Sequence, residues 1–283
     1  MSGSINEAEG TRPQRDPSAF SRWCGRLVPV LIALLTFLVI RPSLDAVGEQ
    51  PDSADAPGLT LDEIFNIQTG VYLWRSLVLE GPGYFTPDGA ERIYRQPQAN
   101  PDHPPLGRLA IGAAHDLIAP IPADPALATP YSVRAARHAS ALLFALTVWL
   151  VSSYATRWAG LGAGLVAALS LALMPRVFGH AHLAALETAI GLTFTWTVLY
   201  VADRWCQSDL ANSPRDSLPR WRVVVIAGVL LGFALLTKIQ AILLPIPIGL
   251  WALWQWHWRA IPRLLVFGLV GVAVFFLGWP WLW

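Results

Sequence analysis

An adjacent pair of carboxylates, Asp62 and Glu63, stands at the start of a predicted helix. Thr60 is placed to cap that helix, and acids in a first turn complement the positive end of the helix dipole. The same pair could instead supply a general base for a hydroxyl acceptor or hold a divalent cation. Two acids alone do not separate these roles.

The string NPDHPPLGR, residues 100–108, contains two prolines that fix an extended approach to a helix predicted from Leu106. His103 directly precedes them, where an imidazole can bind metal or, when protonated, pair with phosphate. A plain helix start with an incidental histidine fits the string as well. The candidate metal ligands are Asp62, Glu63 and His103, so a divalent cation is a candidate cofactor and no other is predicted.

Two further segments carry ionisable residues beside apolar runs. MPRVFGHAHLAALE brings His180, His182 and Glu187 to one helix turn, and GVLLGFALLTK ends at Lys238. Ionisable groups at a membrane are costly unless paired or hydrated, which makes them functional candidates. The simpler interpretations are that Glu187 pairs with an arginine or a histidine to join helices and that Lys238 is a surface anchor.

Composition indicates the elements that must position these groups. The chain of 283 residues is 54% hydrophobic and only 14% charged, too few charges to cover the surface of a soluble domain. Its net charge of +1, without a basic patch, argues against a nucleic-acid partner. We therefore predict an all-α, polytopic transmembrane bundle of about seven spans. The spans are Leu27 to Ile40, Ala139 to Thr156, Leu161 to Val177, Leu183 to Ala202, Arg222 to Thr237, Ala241 to Trp258 and Leu264 to Leu282.

Residues 1–26 are predicted to form a cytoplasmic tail, and 27–283 a transmembrane module with a first outer loop at about 42–130. In that loop, Leu61 to Glu80 has the apolar spacing of an interfacial helix, and Leu106 to Ile118 is too short and polar to span. The basic joints all fall on the side of the N-terminus, which the positive-inside rule makes cytoplasmic. The candidate site then faces outward, Cys24 and Cys206 are reduced thiols on the inner side, and the abrupt end at Trp283 suggests a missing C-terminal part.

The order and spacing of five strings resemble the protein O-mannosyltransferase and aminoarabinose transferase group, which is of the GT-C class. They are LTLDEIFNIQTG, DHPPLGRL, VRAARHASALLFALTVWL, MPRVFGHAHLAALETAI and GVLLGFALLTKIQ. The resemblance implies a polyprenyl-phosphate sugar as lipid-linked donor, an extracytoplasmic active site and a bacterial inner membrane protein. The acceptor, whether protein, lipid or glycan, stays unknown.

Carried over by position, the resemblance makes Asp62 the loop acid and catalytic base, with Glu63 beside it. Arg137 and Lys238 match the group's arginine and lysine, and we expect them, with Arg108, to bind the donor phosphate. The remaining pocket residues are expected to be His103, His180, His182 and Glu187. Glu187 departs from the aspartate of many relatives. The function predicted is an inverting glycosyltransferase; the alternatives are a transporter or lipid-binding protein without bond chemistry, or an inactive fragment.

Overall fold

A computed structural model describes residues 19–44, 60–119, 131–206 and 218–283, and every regular element in these ranges is helical. The predicted all-α class is therefore confirmed. The α-helices of these ranges are α1 Ala19–Ile40, α2 Leu61–Glu80, α3 Pro87–Tyr94, α4 Pro105–Ile118, α5 Val133–Ala159, α6 Leu161–Ala172, α7 Pro175–His180, α8 Glu187–Cys206, α9 Trp221–Thr237, α10 Pro245–Trp256 and α11 Ile261–Gly278. Residues 1–18 of the predicted tail and 45–59 and 120–130 of the predicted outer loop lie outside the described residues.

Each predicted span overlaps at least one helix, although the number of spans that cross a bilayer stays a prediction. Among the described residues, three stretches are long and apolar enough to cross, Trp23–Ser43, Val133–Ala159 and Ile239–Gly278, while α6 and α9 are shorter apolar helices. The predicted span Leu161 to Val177 is two helices: α6 ends at Ala172, and Pro175 starts α7 three residues later. Proline cannot donate the amide hydrogen bond that would continue α6.

The helix α2 has the bounds that its sequence predicts. Glu63 accepts a hydrogen bond from the Thr60 amide at 3.2 Å, one half of a capping box, and the helix ends at Gly81 with a φ of +53°. A positive φ favours glycine, which has no Cβ to clash with the backbone. Capping at both ends therefore explains why the acidic pair is held at a defined helix start.

Two glycines let α2 and α4 pack backbone to backbone. A Cβ on Gly112 would lie 2.0 Å from the carbonyl oxygen of Gly70, and a Cβ on Gly70 would lie 2.4 Å from that of Arg108. Such small-residue contacts allow helices to approach more closely than larger side chains permit. The crossing fixes the distance between the acidic start of α2 and the segment around His103.

The polar residues of α4 are partnered, which explains how this short helix tolerates them. Asp116 accepts two hydrogen bonds from Arg75 of α2, both at 2.9 Å, and lies 2.9 Å from His115 Nδ1. The Ser132 amide donates to His115 Nε2 at 3.1 Å, so Nδ1 carries the ring proton and donates to Asp116. This chain of bonds ties α2, α4 and the start of α5 together.

The predicted basic joints meet at one end of the bundle. Arg157 at the end of α5 pairs with Asp203 near the end of α8, and Arg263 of α11 donates to the Pro219 carbonyl just before α9 at 3.0 Å. Cys24 is a free thiol, while the side chain of Cys206 lies outside the described residues. The assignment of this end to the cytoplasm stays a prediction.

Candidate active site

An open cleft lies at the opposite end of the bundle, where α2, α4, α8 and α9 meet. We call it the outer cleft. Its volume is about 70 Å³. It is lined by Asp62, Phe65, Asn66, Asp102, His103, Arg108, Leu186, Glu187 and Lys238.

Asp62 is an exposed carboxylate at the rim of this cleft. It occupies the first turn of α2, and its side chain makes no hydrogen bond or ion pair with any residue that the structure describes. The adjacent Glu63 points away from water and is fully buried. One helix turn thus presents one acid to the cleft and the other to the protein interior.

Glu63 is surrounded by hydrogen-bond donors. Arg137 of α5 donates from Nε at 2.8 Å and from a terminal nitrogen at 3.0 Å, and the Ala184 amide donates at 2.8 Å. Burial raises the pKa of Glu63. The hydrogen bonds and positive charge of Arg137, together with the Ala184 amide, lower the pKa by more, so the net pKa lies below 4.5. The carboxylate is therefore ionised and joins α2, α5 and the segment before α8. Arg137 is itself 2% exposed and does not line the cleft.

Glu187 and Lys238 form an ion pair across the cleft, with Nζ and Oε1 2.9 Å apart. Glu187 starts α8, and Lys238 follows α9 with an extended backbone. Beneath the pair, the hydroxyls of Thr193 and Thr237 are hydrogen-bonded at 3.1 Å and join the same two helices. Lys238 is 19% exposed and is the single lysine in the 283-residue sequence.

Arg108 lines the cleft but is almost completely buried, at 1% exposed. It donates to Asp102 at 2.5 Å, to the Asn100 carbonyl at 2.7 Å and to the Asn66 side-chain oxygen at 3.2 Å. Burial raises the pKa of Asp102, yet the hydrogen bond and charge of Arg108 outweigh this and leave the pKa below 3.8. Arg108 thus keeps Asp102, another carboxylate that lines the cleft, ionised.

His103 lines the cleft as a neutral imidazole at pH 7. Burial lowers its pKa below 6.5, and this effect outweighs the opposing charge of Asp102. Its Nδ1 is buried without a hydrogen-bond partner among the described residues. The structure does not bring His180 or His182 to the cleft: His182 is hydrogen-bonded through Nε2 to the Ser43 hydroxyl at 2.9 Å, which joins the end of α1 to the segment before α8.

The candidate metal ligands do not form a cluster. Within the ranges that the structure describes, no group of three or more histidine, cysteine, aspartate or glutamate residues is arranged to hold a metal ion. Both oxygens of Glu63 are already engaged by Arg137. Asp62 and His103 remain together in the cleft, so two of the three candidates share one surface.

Residues 126–283, more than half of the chain, match the family described as dolichyl-phosphate-mannose-protein mannosyltransferase. The chain belongs to this family. It is a family of membrane glycosyltransferases, so both the bundle of apolar helices and the enzyme class agree with the sequence-based expectation. No significant match was found among curated proteins or solved structures.

The outer cleft joins residues from both sides of the family boundary. Glu187 and Lys238 belong to the matched residues, while Asp62, His103 and Arg108 precede them. The contacts of Glu63 with Arg137 and Ala184 also cross from the unmatched to the matched part. The described segment 60–119 is therefore packed against the matched residues, and both parts contribute side chains to one cleft.

Sequence reasoning missed Asn66 and Asp102, which the cleft includes. Asn66 lies one turn after Asp62, donates to the Ala184 carbonyl at 3.3 Å and accepts from Arg108. Its position four residues after Asp62 on a capped helix was a usable signal, since such residues share a helix face. Asp102 stands directly before His103 in the string NPDHPPLGR, and its type and spacing alone do not distinguish it from an ordinary loop acid.

Proposed function

We propose that the protein transfers a sugar from a polyprenyl-phosphate-linked donor to an extracytoplasmic acceptor, with inversion at the anomeric carbon. The observation that carries the proposal is the outer cleft. An exposed carboxylate, Asp62, and the chain's single lysine, Lys238, both line it, at the end of the bundle opposite the basic joints. The family membership supplies the class of enzyme and of donor. We assign the basic end to the cytoplasm of a bacterial inner membrane and the outer cleft to its external face.

Asp62 is the catalytic base in this mechanism. It takes the proton from an acceptor hydroxyl as the oxygen attacks the anomeric carbon, and the bond between that carbon and the phosphate oxygen breaks. The bonding electrons leave on the polyprenyl phosphate. The exposure of Asp62 supports this role, because the base must reach the acceptor. Glu63 has no such access and acts by holding α2 in place.

Lys238 is the group that contacts the donor phosphate. Its ammonium is partly exposed in the cleft and is held by Glu187, so an arriving phosphate would exchange one anionic partner for another. Cations placed where negative charge develops stabilise a departing phosphate. Arg108 adds positive charge from beneath the cleft, while Arg137 contributes through Glu63 and Ala184.

The test is sugar transfer from a radiolabelled polyprenyl-phosphate mannose in membranes that contain the wild-type chain or Asp62→Asn. Loss of a positioned general base costs roughly 10²- to 10⁴-fold in rate, and we expect a loss in this range. Asp88→Asn is the matched control, because Asp88 is also an exposed acid in the first turn of a helix, α3. Transfer by Asp62→Asn at the rate of the control would remove Asp62 from the base role.

A further inference from the structure

A second and larger hollow lies on the same end of the bundle, between the second half of α2 and the segment from α3 to Gln98. We call it the α2–α3 hollow. Its volume is about 570 Å³, which is within the roughly 300–1,000 Å³ of small-molecule sites. The outer cleft, at about 70 Å³, is much smaller.

The walls of the hollow combine aromatic rings with neutral polar side chains. Tyr72 and Tyr131 contribute rings, and Ser76, Gln96 and Gln98 contribute hydroxyl and amide groups. The Tyr72 hydroxyl donates to the Ile93 carbonyl at 3.0 Å, so it is the ring of Tyr72 that remains available. Amides offer donors and acceptors together, and a tyrosine ring offers a flat apolar face.

The charges in the hollow cancel each other. Arg92 of α3 and Glu80 at the end of α2 form an ion pair at 2.8 Å, and among the residues that the structure describes they are the only charged ones that line the hollow. An anionic ligand would have to compete with Glu80 for Arg92. The surface therefore suits a ligand that carries no net charge but many hydroxyl groups and apolar C–H faces.

The hollow is placed to serve the same reaction as the outer cleft. Tyr72 and Ser76 follow Asp62 by 10 and 14 residues on one continuous helix, which is about 15 and 21 Å along its axis. The Tyr84 and Tyr94 hydroxyls, 2.8 Å apart, and the capping of α3 by Thr86 hold the α3 wall in place. A ligand that reaches from the outer cleft to the α2–α3 hollow would thus contact two surfaces of one rigid helix, α2.

We propose that the α2–α3 hollow binds a neutral oligosaccharide, which is the part of the acceptor remote from the hydroxyl that reacts. The acceptor role rests on the proposed function, whereas the binding itself does not. An extended peptide is the alternative ligand, and the experiment that follows distinguishes it from the sugar.

The experiment is calorimetric titration of the purified full chain with mannotetraose and with maltotetraose, without any donor. We expect saturable binding of at least one, and a roughly tenfold weaker affinity, about 1.4 kcal/mol, for Tyr131→Ala and for Gln98→Ala. Gln68→Ala is the control, since Gln68 is an exposed amide on α2 that does not line the hollow. Its affinity should equal that of the wild type.

Absence of saturable binding of both sugars, or equal binding by all variants, would overturn the inference. Binding of a serine- and threonine-rich peptide in place of the sugars, weakened by the same substitutions, would overturn it in favour of a peptide acceptor. These outcomes are independent of the proposed base. Unimpaired transfer by Asp62→Asn would refute the proposed mechanism while leaving oligosaccharide binding unaffected.

Discussion

Glu63 holds the backbone amide of Ala184, 121 positions further along the chain, with a hydrogen bond of 2.8 Å. Three residues later in α2, Asn66 donates to the carbonyl of the same Ala184 at 3.3 Å. Both peptide groups of one residue are therefore held by one helix. Because Ala184 stands just before Glu187 while Asp62 adjoins Glu63, this double contact sets the distance between the proposed base and the ion pair of the cleft.

Replacing Glu63 by glutamine should destabilise the protein strongly. The substitution leaves the buried Arg137 without its carboxylate, and removal of one partner from a buried ion pair costs roughly 3–5 kcal/mol. Thermal unfolding in detergent measures the effect. Glu91→Gln is the matched control, because it breaks the exposed pair with Arg95, worth only about 0.3–0.5 kcal/mol. Equal melting temperatures for the two variants would refute the structural role of Glu63.

Stability should decline in acid, and Glu63 should account for part of the decline. Its pKa in the folded protein lies below 4.5, as burial is outweighed by Arg137 and the Ala184 amide. As the pH falls below 4.5, the unfolded chain binds the proton first, so the contribution of Glu63 is lost as the pH falls through the folded pKa. Between about pH 7 and about pH 3, the melting temperature should fall more steeply with decreasing pH for the wild type than for Glu63→Gln. Parallel curves would contradict this expectation.

Adding a methyl group at Gly112 should separate α2 from α4. Its Cβ would lie 2.0 Å from the Gly70 carbonyl oxygen, so the backbones must part, at a cost of roughly 1–3 kcal/mol or more. Gly191→Ala is the control, because a Cβ there meets nothing within 4 Å. The melting temperature of Gly112→Ala should lie well below that of Gly191→Ala. Equal melting temperatures would show that the crossing of α2 and α4 is not tightly packed.

Lys238 should react with an amine-selective ester, and a phosphate lipid should protect it. It is the only lysine in the sequence, so mass spectrometry can follow a single modified side chain. We expect polyprenyl phosphate to reduce the modified fraction at least severalfold because the phosphate occupies the ammonium, while uncharged polyprenol should not. Identical modification with both lipids would exclude Lys238 as the phosphate contact.

Local features of this fold follow directly from the sequence. The bounds of α2 are predictable because Thr60 and Gly81 supply chemistry that starts and stops a helix within a few residues. The grouping of Asp62, His103, Glu187 and Lys238 is predictable from the count of spans, which brings all four to one end of the bundle. Both inferences need only spacing along the chain.

The pairing of the charges does not follow from the sequence. Glu63 and Arg137 are 74 positions apart, and Glu187 has several cations within plausible reach, of which the fold selects Lys238. Which pairs form depends on how each helix is rotated about its axis, and close contacts such as that between Gly70 and Gly112 determine that rotation. For this reason Arg137, expected to bind phosphate, is instead buried against a carboxylate.

The two hydrogen bonds from α2 to Ala184 involve only the main-chain atoms of Ala184, so the Ala184 side chain contributes nothing to them. Most replacements at this position that fit the space would preserve both bonds, and proline alone would abolish the amide donor. The residue type at position 184 can therefore change during evolution while both hydrogen bonds are kept. A comparison of sequence motifs among homologues would overlook this contact between α2 and Ala184. The position of Asp62 relative to Glu187 nevertheless depends on it.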